Sequence, residues 1–385
     1  MTSVESYAPV RTSPAASPVD LRALKVLIVH DWLVAWAGAE RCVEQLLEVF
    51  PQADLVVGVL AASMRDFNPV TRRARETWLG RLPGARAHHR WFLPLEGLAF
   101  RTLDTSGYDL VISSSHAFAK MVTRPSDGSH VCYCYSPPRY LWDLRTVYQD
   151  HAPRLESLAL SWAARPLRWW DGRAARSIDR FVGISNVVAD RIRRSYGRQA
   201  DVVYPPVSAK PGAAPIGTRR GDFLLYLGRL VAYKRVDLAI QAAQQLGMRL
   251  VVAGDGPERE RLGRLGGAQT EFLGQVSEAD AASLLSHCRL FLFCAEEDFG
   301  IAPLEANAHG APVVYLRRGA ACETMHPRVT GIPFDDPTPE AVVQAVRTAL
   351  EASWSEERLR SNAAEYSPER FREAIRRVVR AALHA

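Results

Sequence analysis

Residues 289–305 read RLFLFCAEEDFGIAPLE. The first seven form a short continuous apolar run, which is how a strand buried on both faces looks. A polar loop follows and ends in Gly300, where the missing side chain lets the backbone approach a ligand closely. Pro303 suits the first position of a helix, since its missing N–H costs nothing there, and Glu305 is then expected in the first helical turn. The free N–H groups of such a turn form an anion site suited to a phosphate. The carboxylates of Glu297 and Glu305 would flank it and hold sugar hydroxyls. The same acids also fit a plain helix start stabilised by the helix dipole.

Working outward, this strand–loop–helix unit recurs along the chain. DFLLYLG (222–228), RLVVAG (249–254), TEFLGQV (270–276) and PVVYL (312–316) accompany RLFLFCA, with helical stretches between them. Upstream, KVLIVHD (25–31), DLVVGVL (54–60), DLVISSS (109–115), HVCYCY (130–135) and RFVGIS (180–185) form a second series, and AERCVEQLLEVF after the first of them has helical periodicity. Apolar strands alternating with helices predict parallel sheets covered on both faces. Between the series, Tyr204 to Gly217 is rich in Pro, Gly and Ala and reads as a linker. The expected organisation is a disordered Ser/Pro/Ala-rich leader (1–24), a first doubly wound α/β domain (25–205), a second one (206–367) and a basic helix (368–385) that crosses back to the first domain. Ligands of such sheets sit beyond the carboxyl ends of the strands.

Composition agrees with this class. The chain has 385 residues, 48% hydrophobic and 23% charged, with net charge +6. That length predicts more than one domain, and that apolar content excludes a disordered chain. There is no run of 18 apolar residues and no h-region in MTSVESYAPVRTSPAASPVD, so neither a transmembrane helix nor a secretory signal is expected. None of the six cysteines falls in a C-x-x-C pair, which argues against a zinc ribbon and for a reducing compartment without disulfides. No helix-turn-helix, zinc-finger or RNA-binding signature points to nucleic acid. No G-x-G-x-x-G, Walker loop, H-E-x-x-H or Ser/His/Asp triad is visible.

Other candidates cluster at strand ends. Arg229 and Lys234 follow DFLLYLG; Arg offers a fork for two phosphate oxygens and Lys a mobile point charge. Gly254-Asp255-Gly256-Pro257 reads either as a nucleotide-binding turn or as a plain tight turn. Gly38, in Trp36-Ala37-Gly38-Ala39-Glu40, would let backbone N–H groups meet a phosphate. His116 follows DLVISSS, where it would hydrogen-bond a sugar or serve structure alone. Arg154 to Arg180 interleaves Trp162, Trp169 and Trp170 with arginines, a mixture that suits an anionic membrane surface and equally an amphipathic helix with a charged outer face.

Taken together, G-R-L…K (Gly228–Lys234), A-G-D-G-P (Ala253–Pro257) and E-x7-E (Glu297–Glu305) resemble the retaining GT-B glycosyltransferases of family 4. His30–Glu40 and Ser113–His116 agree in the first domain. Cys132–Asp143, CYCYSPPRYLWD, is similar to a subgroup that includes O-antigen and exopolysaccharide mannosyltransferases, with Tyr135-Ser136 where His-Thr is more usual. The resemblance implies a GT-B fold, two tandem Rossmann-like domains facing across a cleft, the first (25–205) on the acceptor side and the second (206–367) holding the nucleotide sugar. It implies transfer of a hexose, mannose from GDP-mannose, to a lipid-linked or polysaccharide-precursor acceptor at the cytoplasmic membrane face, with no cofactor and no metal. It also implies roles: Arg229 and Lys234 neutralise the donor diphosphate, Glu305 holds the ribose, Glu297 and His116 contact the donor sugar, Phe299, Gly300 and Ile301 form the donor loop, Gly38 approaches the phosphates and Val276 lies near the base. The rival readings are a sugar-nucleotide epimerase of similar shape, which would release nucleotide without an acceptor, and a non-catalytic nucleotide- or glycan-binding scaffold, which would not need Arg229, Lys234 or Glu297.

Overall fold

The computed structural model describes residues 20–384 except 87, 89–91, 140, 143–153 and 211, and omits the side chains of 93, 94 and 154–164. Residues 1–19 of the expected leader, Trp162 of the Trp/Arg stretch, and Tyr140 and Asp143 of the CYCYSPPRYLWD motif therefore lie outside the described side chains.

Among the described residues two parallel sheets form. The first holds β1 (Val26–Leu33), β2 (Asp54–Leu60), β3 (Ala74–Glu76), β4 (Leu110–Ser115), β5 (Ser129–Cys134), β6 (Arg180–Gly183) and β7 (Ala200–Val202), in the order β3-β2-β1-β4-β5-β6-β7. The second holds β8 (Phe223–Leu227), β9 (Arg249–Ala253), β10 (Thr270–Gly274), β11 (Leu290–Phe293), β12 (Val313–Leu316) and β13 (Gly331–Phe334), in the order β10-β9-β8-β11-β12-β13. The long apolar runs lie at the sheet centres because both of their faces are covered: Val26 to Asp31 and all of β11 are buried. In each sheet the strand order reverses beside the first strand, between β1 and β4 and between β8 and β11. Such a switch point opens a crevice outside the carboxyl ends of the strands. The crevices bring the loops after β1 and β4 opposite those after β8 and β11.

The C-terminal helix Pro368–Leu383 starts with Ser367, whose side chain accepts from Arg370 N, followed by Pro at its first position. Phe371, Ile375, Val378, Val379 and Ala382 form its buried stripe, the four larger side chains each contributing roughly 1.5–3 kcal/mol if fully buried. It packs on the first domain: Phe371 meets Tyr133 edge-on at 5.5 Å between ring centres, Ser129 Oγ donates to Ala382 O, and Arg372 donates to Gln45. The chain thus returns to the domain where it began, as the sequence predicts.

Two expectations shift. Leu21 is buried, and Gln52 Nε2 donates to Leu21 O at 2.8 Å, so ordered packing starts ahead of residue 25. The helix Ile301–Ala308 has Gly300, in a left-handed conformation (φ 81°), as its cap. Pro303 is therefore its third residue and Glu305 its fifth, two residues further in than the sequence suggests. The third position is still among those whose N–H has no intrahelical partner, so the proline is tolerated there too.

Candidate active site

A cleft of about 940 Å³ lies between the two switch points, and all ten candidate residues line it: Gly38 and His116 from the first domain, Arg229, Lys234, Val276, Glu297, Phe299, Gly300, Ile301 and Glu305 from the second. That volume is in the range of small-molecule sites, about 300–1,000 Å³. Two helix starts converge in it. A Cβ on Gly38, the first residue of the helix Gly38–Val49, would overlap Ile301 Cδ1, the first side chain of the helix opposite. Glycine at 38 therefore lets two sets of free N–H groups approach one another, both with dipoles that favour an anion.

Around this anion site the side chains pair. Lys234 Nζ lies 2.5 Å from Glu297 Oε1. Lys210, from the linker, lies 2.8 Å from Glu305 Oε1, and Arg41 Nη1 lies 3.9 Å from the same oxygen. Arg41 also reaches Glu278 at 2.5 Å, two residues beyond Val276. Asp298 accepts Arg191 at 2.8 Å and faces Arg139 at 3.7 Å, both from the first domain. Glu323 receives Asn186 N and Val187 N, at 2.9 and 3.0 Å, at the start of the helix Asn186–Tyr196. The domains are bridged by charge on both flanks of the cleft. Arg41 and Lys210 lie in no motif, and Arg139 and Asp298 lie inside quoted motifs without an assigned role; the sequence reading missed the part all four play here.

The Gly254–Pro257 turn proves to be a support. Leu230 N donates to Asp255 O at 2.9 Å and Gly228 N to Ala253 O at 3.0 Å. A Cβ on Gly254, whose φ is 135°, would overlap Gly228 O. The turn thus holds the Gly228–Leu230 loop that presents Arg229, and lies outside the cleft lining.

On the first-domain wall the organising residue is Asp31, two residues before the end of β1 and fully buried. Its carboxylate accepts four backbone N–H groups, from His116 (2.6 Å), Ala117 (2.9 Å), Phe118 (2.8 Å) and Ala119 (2.6 Å). Burial pushes its pKa up, but the His116 and His30 rings and these N–H groups outweigh it and the net shift is down. His116 Nδ1 lies 3.2 Å from the same carboxylate, and Trp32 meets the ring edge-on at 4.4 Å. Burial, partly opposed by Asp31, lowers the His116 pKa and so favours the neutral ring. The carboxylate then fixes the proton on Nδ1 and leaves the Nε2 lone pair free. Nearby, Glu40 accepts Ala37 N at 2.9 Å and lies 3.7 Å from buried His30, an arrangement that fixes the Trp36–Gly38 loop.

Behind Asp31 lies Glu96, 2% exposed, with neither carboxyl oxygen hydrogen-bonded among the described residues. Burial first, then the Asp31 carboxylate, raise its pKa well above the ordinary 4.5. The folded state therefore holds this proton more tightly than the unfolded one. Its contribution to stability is full below pH 4.5 and declines as pH rises toward the folded value. Glu96→Gln, neutral at every pH, should be more stable than the parent at pH 8–9, with the gap closing toward pH 4. Urea midpoints at the two pH values measure this, and a gap that does not change with pH contradicts it.

Two family models match this chain: Glycosyltransferase Family 4 over residues 36–210 and Glycosyl transferases group 1 over residues 218–366. Among curated proteins it is similar to a GDP-mannose-dependent alpha-(1-6)-phosphatidylinositol dimannoside mannosyltransferase of Mycobacterium tuberculosis, 37% identical over 135 residues, covering 33% of this chain and 35% of the relative. It is also similar to human alpha-1,3/1,6-mannosyltransferase ALG2, 28% identical over 216 residues, covering 46% and 52%. These matches thus span about a third to a half of the relatives' length. Among solved structures, HepE of Anabaena in complex with UDP and glucose superposes with TM-score 0.65 at 17% identity, over 92% of this chain and 99% of that one. The family models meet at the linker and divide the chain as its two sheets do, and the solved neighbour has the same GT-B architecture: the chain belongs to glycosyltransferase family 4.

Proposed function

We propose that the protein is a retaining glycosyltransferase that moves a hexose, mannose from GDP-mannose, onto a lipid-linked or polysaccharide-precursor acceptor without a metal ion. The observation that carries this reading is the convergence, in one cleft, of the Lys234–Glu297 pair, Arg229 and the two facing helix starts at Gly38 and Gly300. Breaking a glycosyl–phosphate bond develops negative charge on the departing diphosphate. Fixed cations and N–H dipoles aimed there lower the barrier. Arg229 and Lys234 would supply the charge that a divalent ion supplies elsewhere. Glu297 would hold the sugar hydroxyls, and the His116 Nε2 lone pair would accept from one more. Glu305 would exchange its Lys210 contact for the ribose hydroxyls.

The guanine base has its own support. Glu278 and Arg41 sit as a pair beside Val276. A carboxylate matches the N1–H and N2–H donors of guanine, and an arginine fork matches its O6 and N7 acceptors. Uracil presents no such double edge. The M. tuberculosis relative, GDP-mannose-dependent by name, agrees with this choice. Calorimetric titration with GDP and UDP tests it. One lost charge-assisted contact, about 1.5–3 kcal/mol, should weaken GDP binding to Glu278→Ala roughly ten- to hundredfold, with UDP affected within twofold. Equal losses for both nucleotides contradict the guanine reading.

The same proposal puts the enzyme on the cytoplasmic face of a membrane. Among the described residues no helix is long and apolar enough to cross one. The helix Arg154–Arg176 exposes Trp169 (68%), with the Arg173 guanidinium 5.8 Å from its ring centre. A hollow of about 410 Å³ alongside is lined by Arg101, Arg124, Arg173 and Arg176 and by no carboxylate. Vesicles with anionic lipid should bind the protein and release it as salt rises, since exposed charges are screened beyond about 8–10 Å at physiological ionic strength. Arg173→Glu combined with Trp169→Ala should weaken binding without altering nucleotide affinity. Equal binding to neutral and anionic vesicles contradicts an electrostatic surface.

A further inference from the structure

Trp36 and Phe67 are used by nothing described so far. Trp36 follows the carboxyl end of β1, is half-buried and lines the cleft. Phe67 follows the carboxyl end of β2, is 55% exposed and does not line the cleft. Their ring centres are 5.7 Å apart at a tilt of 37°. The pair therefore continues the first-domain wall from the reacting centre outward.

The outer ring is held in display. Arg65, two residues before it, pairs with Glu76 at 2.6 Å, and the same carboxylate accepts Leu60 N at 2.9 Å. Asn68, directly after it, caps the helix Pro69–Arg73 by accepting Thr71 N at 2.9 Å. Met64 is buried beneath the turn. A rigid turn that exposes a large aromatic ring beside a binding cleft leaves apolar surface in water that a ligand can cover. Two tilted rings in sequence offer flat apolar faces that match the C–H face of a pyranose, while the sugar's hydroxyls stay in water or in the cleft.

We infer that Trp36 and Phe67 form an acceptor subsite, a stacking platform for a sugar ring of a glycan acceptor at the first-domain mouth of the cleft. This rests on the transferase reading above. The platform places the acceptor on the wall opposite Arg229, Lys234 and Glu297, with its chain leading out of the cleft past Phe67. A sugar ring is the occupant favoured over a lipid chain because the surface is two discrete faces continuous with the proposed sugar site, whereas an alkyl chain calls for a closed apolar groove.

Saturation-transfer NMR with octyl α-mannoside, α-glucoside and α-galactoside tests this, since each probe carries both a ring and an alkyl chain. In the presence of GDP, saturation should reach the ring protons of at least one probe. Phe67→Ala and Trp36→Ala should each reduce that signal by about fivefold or more, and Phe67→Tyr should retain it. Transfer to the alkyl protons alone, ring signals unchanged in Phe67→Ala, or no ring signal in the parent protein would each overturn the platform. GDP titration of the same samples separates the two readings. If GDP binds normally and the ring signals do not behave as stated, the platform fails; if GDP does not bind, the donor site itself fails.

Discussion

Lys234→Ala should lower turnover roughly 30- to 1,000-fold while the protein stays folded. That range follows from the role proposed for Lys234, a fixed cation acting on charge developed in the transition state, whose loss costs about 2–4 kcal/mol of barrier. Lys234 ends a short turn at Ala232–Lys234 that contributes no buried residue, so the fold does not depend on it. Its partner makes the effect sharper. Without the ammonium, the Glu297 carboxylate 2.5 Å away loses its counter-charge inside the site proposed to accept an anionic diphosphate. Repulsion then adds to the missing attraction. Glu297→Gln on top of Lys234→Ala should cost less than the sum of the two single changes, because the second removes the unpaired charge left by the first. Turnover within threefold of the parent enzyme, in a variant with an unchanged melting curve, would remove Lys234 from the diphosphate site.

Asp31→Ala should be the most damaging change to stability, by about 3–5 kcal/mol. The carboxylate satisfies four backbone N–H groups at once and faces the His116 ring. Alanine leaves all of them in a buried site with no acceptor. Asp31→Asn should be milder: its carbonyl oxygen still serves one pair of N–H groups, while its amide presents donors to the other pair. Activity should fall in both, because a His116 without its carboxylate loses its fixed tautomer. His116→Ala, by contrast, should lower turnover and leave the urea midpoint within about 0.5 kcal/mol of the parent, as expected of a partly exposed side chain. If Asp31→Ala unfolds at the parent's urea concentration, the turn at 116–121 is held by something else.

These two residues also mark what could be read from the chain alone. The strand of Lys234 was legible because DFLLYLG is a continuous apolar run, and its position after a strand end carried the functional reading. Asp31 was in view within KVLIVHD, but its partners lie 85 residues and more downstream, and no local pattern reports a contact of that separation. The same holds for Arg41 and Lys210, which meet Glu305 only after the two domains fold together. Three strands escaped the sequence reading for a different reason. β3 and β7 have three residues each and include Arg75, Glu76 and Asp201, while β13 contains Pro333. All three are edge strands, where one flank is left unpaired in the sheet and a long apolar run is not needed. The position of Pro303 slipped by two because Gly300, two residues earlier than a cap before Pro303 would sit, takes the left-handed conformation that starts the helix.

The proposed function has the cleft transfer a hexose from a nucleotide sugar using protein cations alone. Its most direct test is the product. The full chain is incubated with GDP-mannose and an octyl α-glycoside in excess EDTA, GDP release is followed, and the new anomeric proton is read by NMR. GDP release should be coupled to an α-linked mannoside and undiminished by the chelator. A β-linked product, transfer that stops in EDTA and returns with magnesium or manganese, or no transfer from any nucleotide sugar in a panel would contradict it.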